Sequence, residues 1–88
     1  MTSAQVELAD LEALLRQLQA FNASFTAEWN RLKSSWGQLD AEWHDQQKEK
    51  FRRDWEQTIR QMERYIGESN KYITFLQERI RAVRDYGG

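Results

Sequence analysis

His44 and the carboxylates around it are the residues whose types could do chemistry. His44 is the only histidine, and Asp40, Glu42 and Asp45 lie within four residues of it. A histidine beside carboxylates can serve as a general base or as a metal ligand. A general base also needs a nucleophile or an orienting partner, and this stretch supplies neither. It does not supply a full set of metal ligands either. We therefore predict no catalytic residue, no metal site and no cofactor, and interpret the carboxylates as turn and helix-end residues.

Composition excludes several other classes of site. The chain has no cysteine, which rules out disulfides and thiolate ligands. Its net charge is −1, from 13 basic and 14 acidic residues, which is not typical of a protein that binds nucleic acid or anionic membranes. The most basic stretch, residues 48–53, is interrupted by Glu49, as is typical of a solvated helix surface. No apolar run approaches the roughly 18 residues of a membrane span.

The elements that position these residues are helices, because apolar residues recur at spacings of three and four. The absence of proline permits long, uninterrupted helices. The first series predicts a helix over about residues 3–42, in which Asn22 takes one apolar slot. We interpret Asn22 as setting helix register or oligomeric state, rather than as the glycosylation acceptor of Asn22-Ala23-Ser24. The apolar positions are Leu8, Leu11, Leu15, Leu18, Phe25, Trp29, Leu32, Trp36, Leu39 and Trp43, with Leu14 and Phe21 widening the face.

A second series, in a shifted register, predicts another helix over about residues 46–86. Ser69 takes one of its slots, and Gly67 is interpreted as a site where helices cross closely. A row of mostly aromatic residues lies beside the series, so the apolar arc is too wide for one partner helix to cover. The series comprises Trp55, Ile59, Met62, Ile66, Ile73, Leu76, Ile80 and Val83, and the row beside it Thr58, Tyr65, Tyr72 and Phe75.

The change of register places a turn at about residues 43–45. Asp45 suits the N-cap of the second helix, and Phe51 opens the second apolar face. The Ser34-Ser35-Trp36-Gly37 stretch is an alternative turn, because serine and glycine interrupt helices. The apolar register nevertheless continues through it unchanged, which favours the turn near His44.

The predicted fold is all-α: one domain, residues 1–88, forming an antiparallel two-helix hairpin. A chain of 88 residues buries only a small core, so a partner chain is expected to supply more burial. The wide second face predicts dimerisation into a four-helix bundle, with the same chain or with a related hairpin. The residues predicted for the core and the dimer interface are Leu11, Leu15, Leu18, Phe25, Trp29, Leu32, Trp36, Trp55, Ile59, Met62, Ile66, Ile73, Leu76 and Ile80.

Four tryptophans are the most distinctive feature of the chain. Trp29, Trp36, Trp43 and Trp55 all fall on apolar helix positions, which favours a place in the core. The alternative is an exposed contact for a partner, for which Trp43 at the turn is best placed. If Trp43 is buried in the core, replacing it with alanine should cost on the order of 3–5 kcal/mol.

Charge also favours an antiparallel pair, because the first helix is net acidic and the second net basic. Within each helix, oppositely charged residues four apart are expected to pair on the surface. The predicted pairs are Glu12–Arg16, Glu49–Arg53 and Glu56–Arg60.

Leu39 precedes Trp43 by four residues, and Phe51 follows it by eight. This spacing resembles the hairpin-tip motif of the WXG family, small secreted helical hairpins of bacterial type VII secretion systems, similar to the early secretory antigenic target. The family motif is Trp-any-Gly, whereas the tip here reads Trp43-His44-Asp45. Chain length and the mid-chain position of the turn also match. The resemblance implies dimers that pack as four-helix bundles, and roles as secreted effectors or as adaptors for larger substrates.

The family also carries a C-terminal export signal, a tyrosine followed four residues later by an acidic residue. Here Tyr65 is followed at that distance by Ser69, and Tyr72 by Leu76. We therefore expect a divergent member whose export depends on a signal on another chain.

The expected function is that of a non-enzymatic substrate, adaptor or partner of a type VII-like secretion system. Its expected partners are a related hairpin, and a larger secreted substrate or a secretion ATPase. The first residues lack the basic and apolar regions of a Sec signal peptide, so we expect a secreted protein exported by another route, or one that is cytoplasmic before export. The alternative is a structural coiled-coil or assembly module unrelated to secretion.

Overall fold

The chain folds into two long antiparallel helices. The computed structural model describes residues 3–87, with side chains for residues 5–86. Helix α1 spans Ser3–Glu42 and helix α2 spans Gln47–Gly87, and no strand occurs between them or within this range. The pair forms a rod 65 Å long and 17 Å wide. The structure confirms the prediction of an all-α helical hairpin, and residues 43–46 connect its helices.

Helix α1 passes through the serine–glycine stretch at residues 34–37 without interruption. Trp36 holds this stretch in register, because its ring packs against Phe51 at 5.4 Å and Trp55 at 6.3 Å between centroids. A glycine inside a helix costs about 1 kcal/mol relative to alanine. Burial of one large aromatic side chain offsets that cost.

The prediction that Gly67 permits a close crossing of the helices is wrong. Gly67 is exposed, and a Cβ atom added to it would meet no atom within 4 Å. Ser69, two residues later, is fully buried against α1. Two residues correspond to about 200° around a helix, so Gly67 faces away from the partner helix.

The hairpin buries few apolar side chains. Within the described part of the chain, Trp29, Ile80 and Val83 are the buried hydrophobic residues, exposed by 4%, 6% and 8%. Most other residues predicted for the core are half-buried, and Leu32 remains 48% exposed. The physical reason is that two helices in contact cover only one narrow stripe of each other.

The two polar residues of the apolar series meet between the helices. Ser69 donates a hydrogen bond from Oγ to Oδ1 of Asn22 at 2.7 Å. Ser69 is 0% exposed and Asn22 is half-buried. Because an unpaired buried polar group is costly, this bond favours the one helix alignment that brings the two residues together.

Several charged residues pair across the hairpin rather than along a helix. Glu12 forms a salt bridge with Arg84 of α2 instead of the predicted pair with Arg16. Near the start of α2, Glu49 and Glu56 both pair with Arg52 rather than with the predicted arginines. The proximity of α2 decides the partner of Glu12, and spacing along α1 does not contain that information. The two pairs of Arg52 have ordinary helical spacings of three and four, so they differ from the predicted pairs only in which neighbouring side chain is reached.

Candidate interaction surface and hairpin tip

Asp45 organises the tip of the hairpin. Its Oδ1 atom accepts hydrogen bonds from the backbone N–H groups of Gln47 at 2.9 Å and Lys48 at 3.3 Å, which are the bonds of an N-cap. The same oxygen accepts a bond from the indole Nε1–H of Trp43 at 2.7 Å. No residue of the described backbone has a positive φ. The turn therefore needs no glycine where the chain has Asp45.

Trp43 joins the two halves of the tip. Its backbone N–H donates to the carbonyl of Leu39 at 2.8 Å, and its ring centroid lies 5.8 Å from that of Phe51. Trp43 is half-buried, whereas Leu39 and Phe51 are 46% and 43% exposed. Because its ring is only half covered, we expect an alanine substitution to cost less than the 3–5 kcal/mol of a core tryptophan.

Lys48 ties the start of α2 to the end of α1. Its Nζ donates to the backbone carbonyl of Asp40 at 2.6 Å and lies 3.0 Å from the Oδ1 atom of the same residue. The last carbonyls of a helix lack partners and carry partial negative charge, so a cation there is favourable. The sequence predicts that Lys48 belongs to a solvated basic surface, whereas its side chain is largely covered in the structure.

The other ionisable groups of the tip are exposed. His44 is exposed, and no group of three or more His, Cys, Asp or Glu residues in the described part of the chain could hold a metal ion. The carboxylates of Glu56 and, more weakly, Glu49 raise the pKa of the Arg52 guanidinium. These are contacts of a solvated helix surface.

Most of the large apolar side chains left exposed lie on one side of the hairpin, which we call the apolar face. Residues seven apart share one side of a packed helix, so each helix contributes rows of such residues. Phe21 and Phe25 both meet the ring of Tyr65, at 6.2 and 5.0 Å between centroids, so the rows of α1 and α2 share a side. The face consists of Leu14, Phe21, Phe25, Leu32, Leu39, Phe51, Tyr65, Tyr72 and Phe75.

A salt bridge ends the apolar face near the open end of the hairpin. Glu7 lies seven residues before Leu14, and Arg79 seven residues after Tyr72. The two side chains pair at 2.7 Å. The rows that are apolar in the middle of the molecule thus become charged at this end, which limits the length of the surface.

The opposite side of the hairpin is polar. Lys33 of α1 pairs with Glu63 of α2 at 3.4 Å, and its ammonium lies 5.7 Å from the centroid of the Trp29 ring. The pair Glu12–Arg84 lies in the same two rows, three heptads further along. The hairpin therefore has two unlike sides, and only one resembles an interface.

The apolar face is large enough for specific association. Seven of its residues are each 43–67% exposed. Fully burying an aromatic side chain removes about 150–250 Å² from water, so these residues together expose roughly 700 Å². Contiguous apolar patches of this size mark interaction sites, and a standard interface covers about 800 Å² on each partner.

A cavity of about 420 Å³ opens in the middle of the apolar face. The rings of Trp29 and Trp55 lie side by side in its wall, 6.1 Å apart between centroids. Both Nε1–H groups are buried and have no hydrogen-bond acceptor among the described residues. The remaining lining is Phe25, Leu32, Thr58 and Met62, with Glu28, Arg31 and Ser35 around it.

The structure brings the predicted tip residues Trp43, Asp45 and Phe51 together and leaves His44 in solvent. Sequence reasoning missed the bond between Asn22 and Ser69, although both had been identified as polar slots. The signal was that each apolar series contains one polar residue, because a polar group buried between two helices needs a hydrogen-bond partner and the other series offers one.

Comparison of the chain with protein-family profiles, with characterised proteins and with solved structures found no match in any of the three. Within the described residues, neither helix contains a segment apolar and long enough to cross a lipid bilayer.

Proposed function

We propose that this protein is a non-enzymatic interaction module that docks a second helical hairpin on its apolar face, forming a four-helix bundle. The observation that carries the proposal is the position of the exposed apolar residues. They follow matching rows of both helices, so a second pair of helices covers them together. The same chain and a related hairpin are the two candidates for that second pair.

The sidedness of the hairpin supports this proposal. One side exposes Phe21, Tyr72 and Phe75 by 54%, 54% and 67%. The other carries the Lys33–Glu63 salt bridge. A solitary hairpin would gain nothing by collecting its exposed aromatic residues on one side, whereas a four-helix bundle requires one apolar side on each half.

We further propose that the module serves as a substrate, adaptor or partner in a type VII-like secretion system. The support is the resemblance of Leu39, Trp43 and Phe51 to the WXG tip, together with the hairpin fold and chain length. The aspartate that replaces the motif glycine is compatible with such a tip, because Asp45 caps α2 and the turn contains no positive φ. A structural assembly module unrelated to secretion is the second candidate, favoured by the two long amphipathic helices alone.

The docking surface is tested by a matched pair of charge insertions on α2. Tyr72→Glu places a carboxylate on the apolar face, and Gln77→Glu places one at an exposed position of the polar side, beside Glu12 and Arg84. We expect size-exclusion chromatography with light scattering to show a dimer for the parent chain and for Gln77→Glu, and a monomer for Tyr72→Glu. If the chain alone is monomeric, binding of a candidate related hairpin is compared for the same pair of variants. Equal binding by both variants would reject the apolar face as the interface.

The secretion role needs an assay in the bacterium that produces the protein. Deleting the secretion ATPase should remove the protein from the culture supernatant and leave it in the cells. An unchanged distribution would contradict the secretion role and leave the assembly module as the better explanation.

A further inference from the structure

We propose that the second hairpin on the apolar face is another copy of this chain, and that the two copies pack with their tips at the same end of the four-helix bundle. Glu28 on α1 of one copy then lies beside Arg64 on α2 of the other. This arrangement rests on the proposed function, because it names the occupant of the apolar face and its direction.

Glu28 and Arg64 lie at nearly the same height along the rod. The contact between the rings of Phe25 and Tyr65, 5.0 Å apart between centroids, gives a common reference point. Glu28 is three residues closer to the tip than Phe25, and Arg64 is one residue closer to the tip than Tyr65. At about 1.5 Å per residue, the two positions therefore differ in height by roughly 3 Å.

Both charged residues lie along the edge of the apolar face. Glu28 is one heptad after Phe21, lines the cavity of the face, and has a side chain that is 71% exposed. Its Oε1 atom accepts a hydrogen bond from Arg31, which leaves Oε2 free for a second cation. Arg64 is exposed, forms no ion pair within the described part of the chain, and precedes Phe75 by eleven residues. Eleven residues are close to three helical turns, so Arg64 lies on the side of α2 that exposes Phe75.

A two-fold axis can place one apolar face on the other in two ways. With the tips at the same end, α1 of each copy lies against α2 of the other, so Glu28 faces Arg64 of the second copy. With the tips at opposite ends, each helix lies against its own copy, and a residue at the midpoint of the face meets itself. Glu28 and Arg64 lie near that midpoint, since the face covers residues 14–39 of α1 and 51–75 of α2. The second arrangement therefore brings like charges together, which is unfavourable.

The same two rows carry opposite charges again near the tip. Glu42 lies two heptads after Glu28, and Lys50 lies two heptads before Arg64. Glu42 and Lys50 are exposed and form no ion pair among the described residues. When α1 of one copy lies against α2 of the other, these two charges also come together, provided that the tips share one end.

The charges near the open end favour the same orientation. Asp10 lies on the same edge as Glu28, five helical turns before it, and within one turn of Glu7. Glu7 pairs with Arg79 of α2, so Asp10 and Arg79 lie at similar heights. With the tips at the same end, Asp10 of one copy approaches Arg79 of the other. With the tips at opposite ends, Asp10 would instead approach Glu42, another acid.

A second copy of the chain is sufficient as the partner. The apolar face of one hairpin offers roughly the area that one partner contributes to a stable dimer. The net charge of −1 opposes association very little. The chain also carries on α2 the cations that match the acids along the edge of α1, so its apolar face complements itself.

Charge reversal tests the contact between Glu28 and Arg64, with dimer dissociation of the full chain measured by sedimentation equilibrium. Glu28→Arg and Arg64→Glu each place like charges together, and each should raise the dissociation constant roughly 3- to 30-fold over the two symmetric contacts. The double variant restores opposite charges and should return the dissociation constant close to that of the parent chain. Arg81→Glu is the matched control, because Arg81 is exposed and lies on the polar side with Glu12. It should leave the dissociation constant unchanged.

The position of the tips is measured independently of these ion pairs. The chain has no cysteine, so His44→Cys gives one spin-labelling site at the exposed tip of each copy. Pulsed electron paramagnetic resonance then reports the distance between the two labels of a dimer. With the tips at the same end, we expect a distance of at most about twice the 17 Å width of the rod. With the tips at opposite ends, the distance would approach the 65 Å length of the rod.

Three results would overturn the inference: a monomeric parent chain, labels separated by nearly the length of the rod, or a double variant that does not recover the losses of the single variants. A monomeric parent chain that binds a related hairpin would reject the second copy and leave the apolar face as the interface. A dimer that Tyr72→Glu does not break would reject the apolar face itself.

Discussion

At the scale of single residues, a few polar side chains define the geometry of an otherwise apolar hairpin. One oxygen of Asp45 accepts two backbone bonds and one indole bond, so it starts α2 and orients Trp43 together. In the middle of the molecule, Ser69 and Asn22 form a hydrogen bond that joins α2 to α1. Each bond has a directional requirement that apolar contacts lack, and each therefore selects one arrangement of the chain.

The tip leads to a prediction for Asp45. Replacing it with alanine should lower the free energy of unfolding by about 1–2 kcal/mol, because the cap and the acceptor of Trp43 are lost together. Asp45→Asn retains a side-chain oxygen and should retain most of the stability. Urea unfolding followed by circular dichroism measures both variants, and equal losses would show that the charge rather than the cap is responsible.

The buried polar pair leads to a second prediction. Ser69→Ala should cost about 1–3 kcal/mol, because it leaves the half-buried Asn22 oxygen without its partner. Adding Asn22→Leu to that variant should recover most of the loss, since no unmet polar group then remains. A double-mutant cycle from denaturant unfolding tests this, and additive losses would mean that the bond contributes nothing specific.

At the scale of the helices, α1 and α2 are long because apolar packing outweighs local preference. Trp36 keeps the helix intact beside Gly37, and burial of Ser69 and Ile80 positions α2 although Gly67 offers nothing to packing. An exposed glycine inside a helix therefore lowers the stability of that helix, and tertiary contacts elsewhere along the helix offset the loss.

Gly67 gives the prediction at this scale. Gly67→Ala should raise the free energy of unfolding by about 0.5–1 kcal/mol, because it reduces the entropy of the unfolded chain and the new methyl group meets no atom within 4 Å. The reverse change at an exposed helical position, Ala23→Gly, should lower it by a similar amount. Thermal unfolding monitored by circular dichroism at 222 nm measures the stability of both variants. If Gly67→Ala is less stable than the parent chain, the added methyl group must clash with a neighbouring atom, which would contradict the prediction.

At the scale of the whole molecule, the hairpin is a thin rod whose single interface buries little. It measures 65 Å by 17 Å, and Trp29, Ile80 and Val83 are its buried apolar side chains in the described range. Such a small core supplies little stability by itself. Covering the apolar face would enlarge the core along most of the length of the rod.

Association should therefore appear as concentration-dependent stability. We expect the melting temperature to rise by several degrees between about 1 and 100 μM protein, because only the folded chain dimerises and a higher concentration therefore favours the folded state. Tyr72→Glu should melt at one temperature throughout that range. Scanning calorimetry at several concentrations makes the measurement, and a parent chain whose melting temperature does not change would contradict self-association.

The sequence by itself determined what depends on neighbours within a helical turn. The spacing of apolar residues gave two helices, the change of register gave a turn near His44, and the position of Asp45 gave its cap. These follow from backbone periodicity and short-range hydrogen bonds, which residues a few positions apart already specify.

The tertiary structure alone decided which residues meet across the hairpin. It paired Asn22 with Ser69 and Glu12 with Arg84, placed Gly67 in solvent, and left Leu32 exposed. These outcomes depend on how far one helix slides and rotates against the other. The turn geometry and the fit of large rings decide that alignment, and the spacing of residues along a single helix does not contain it.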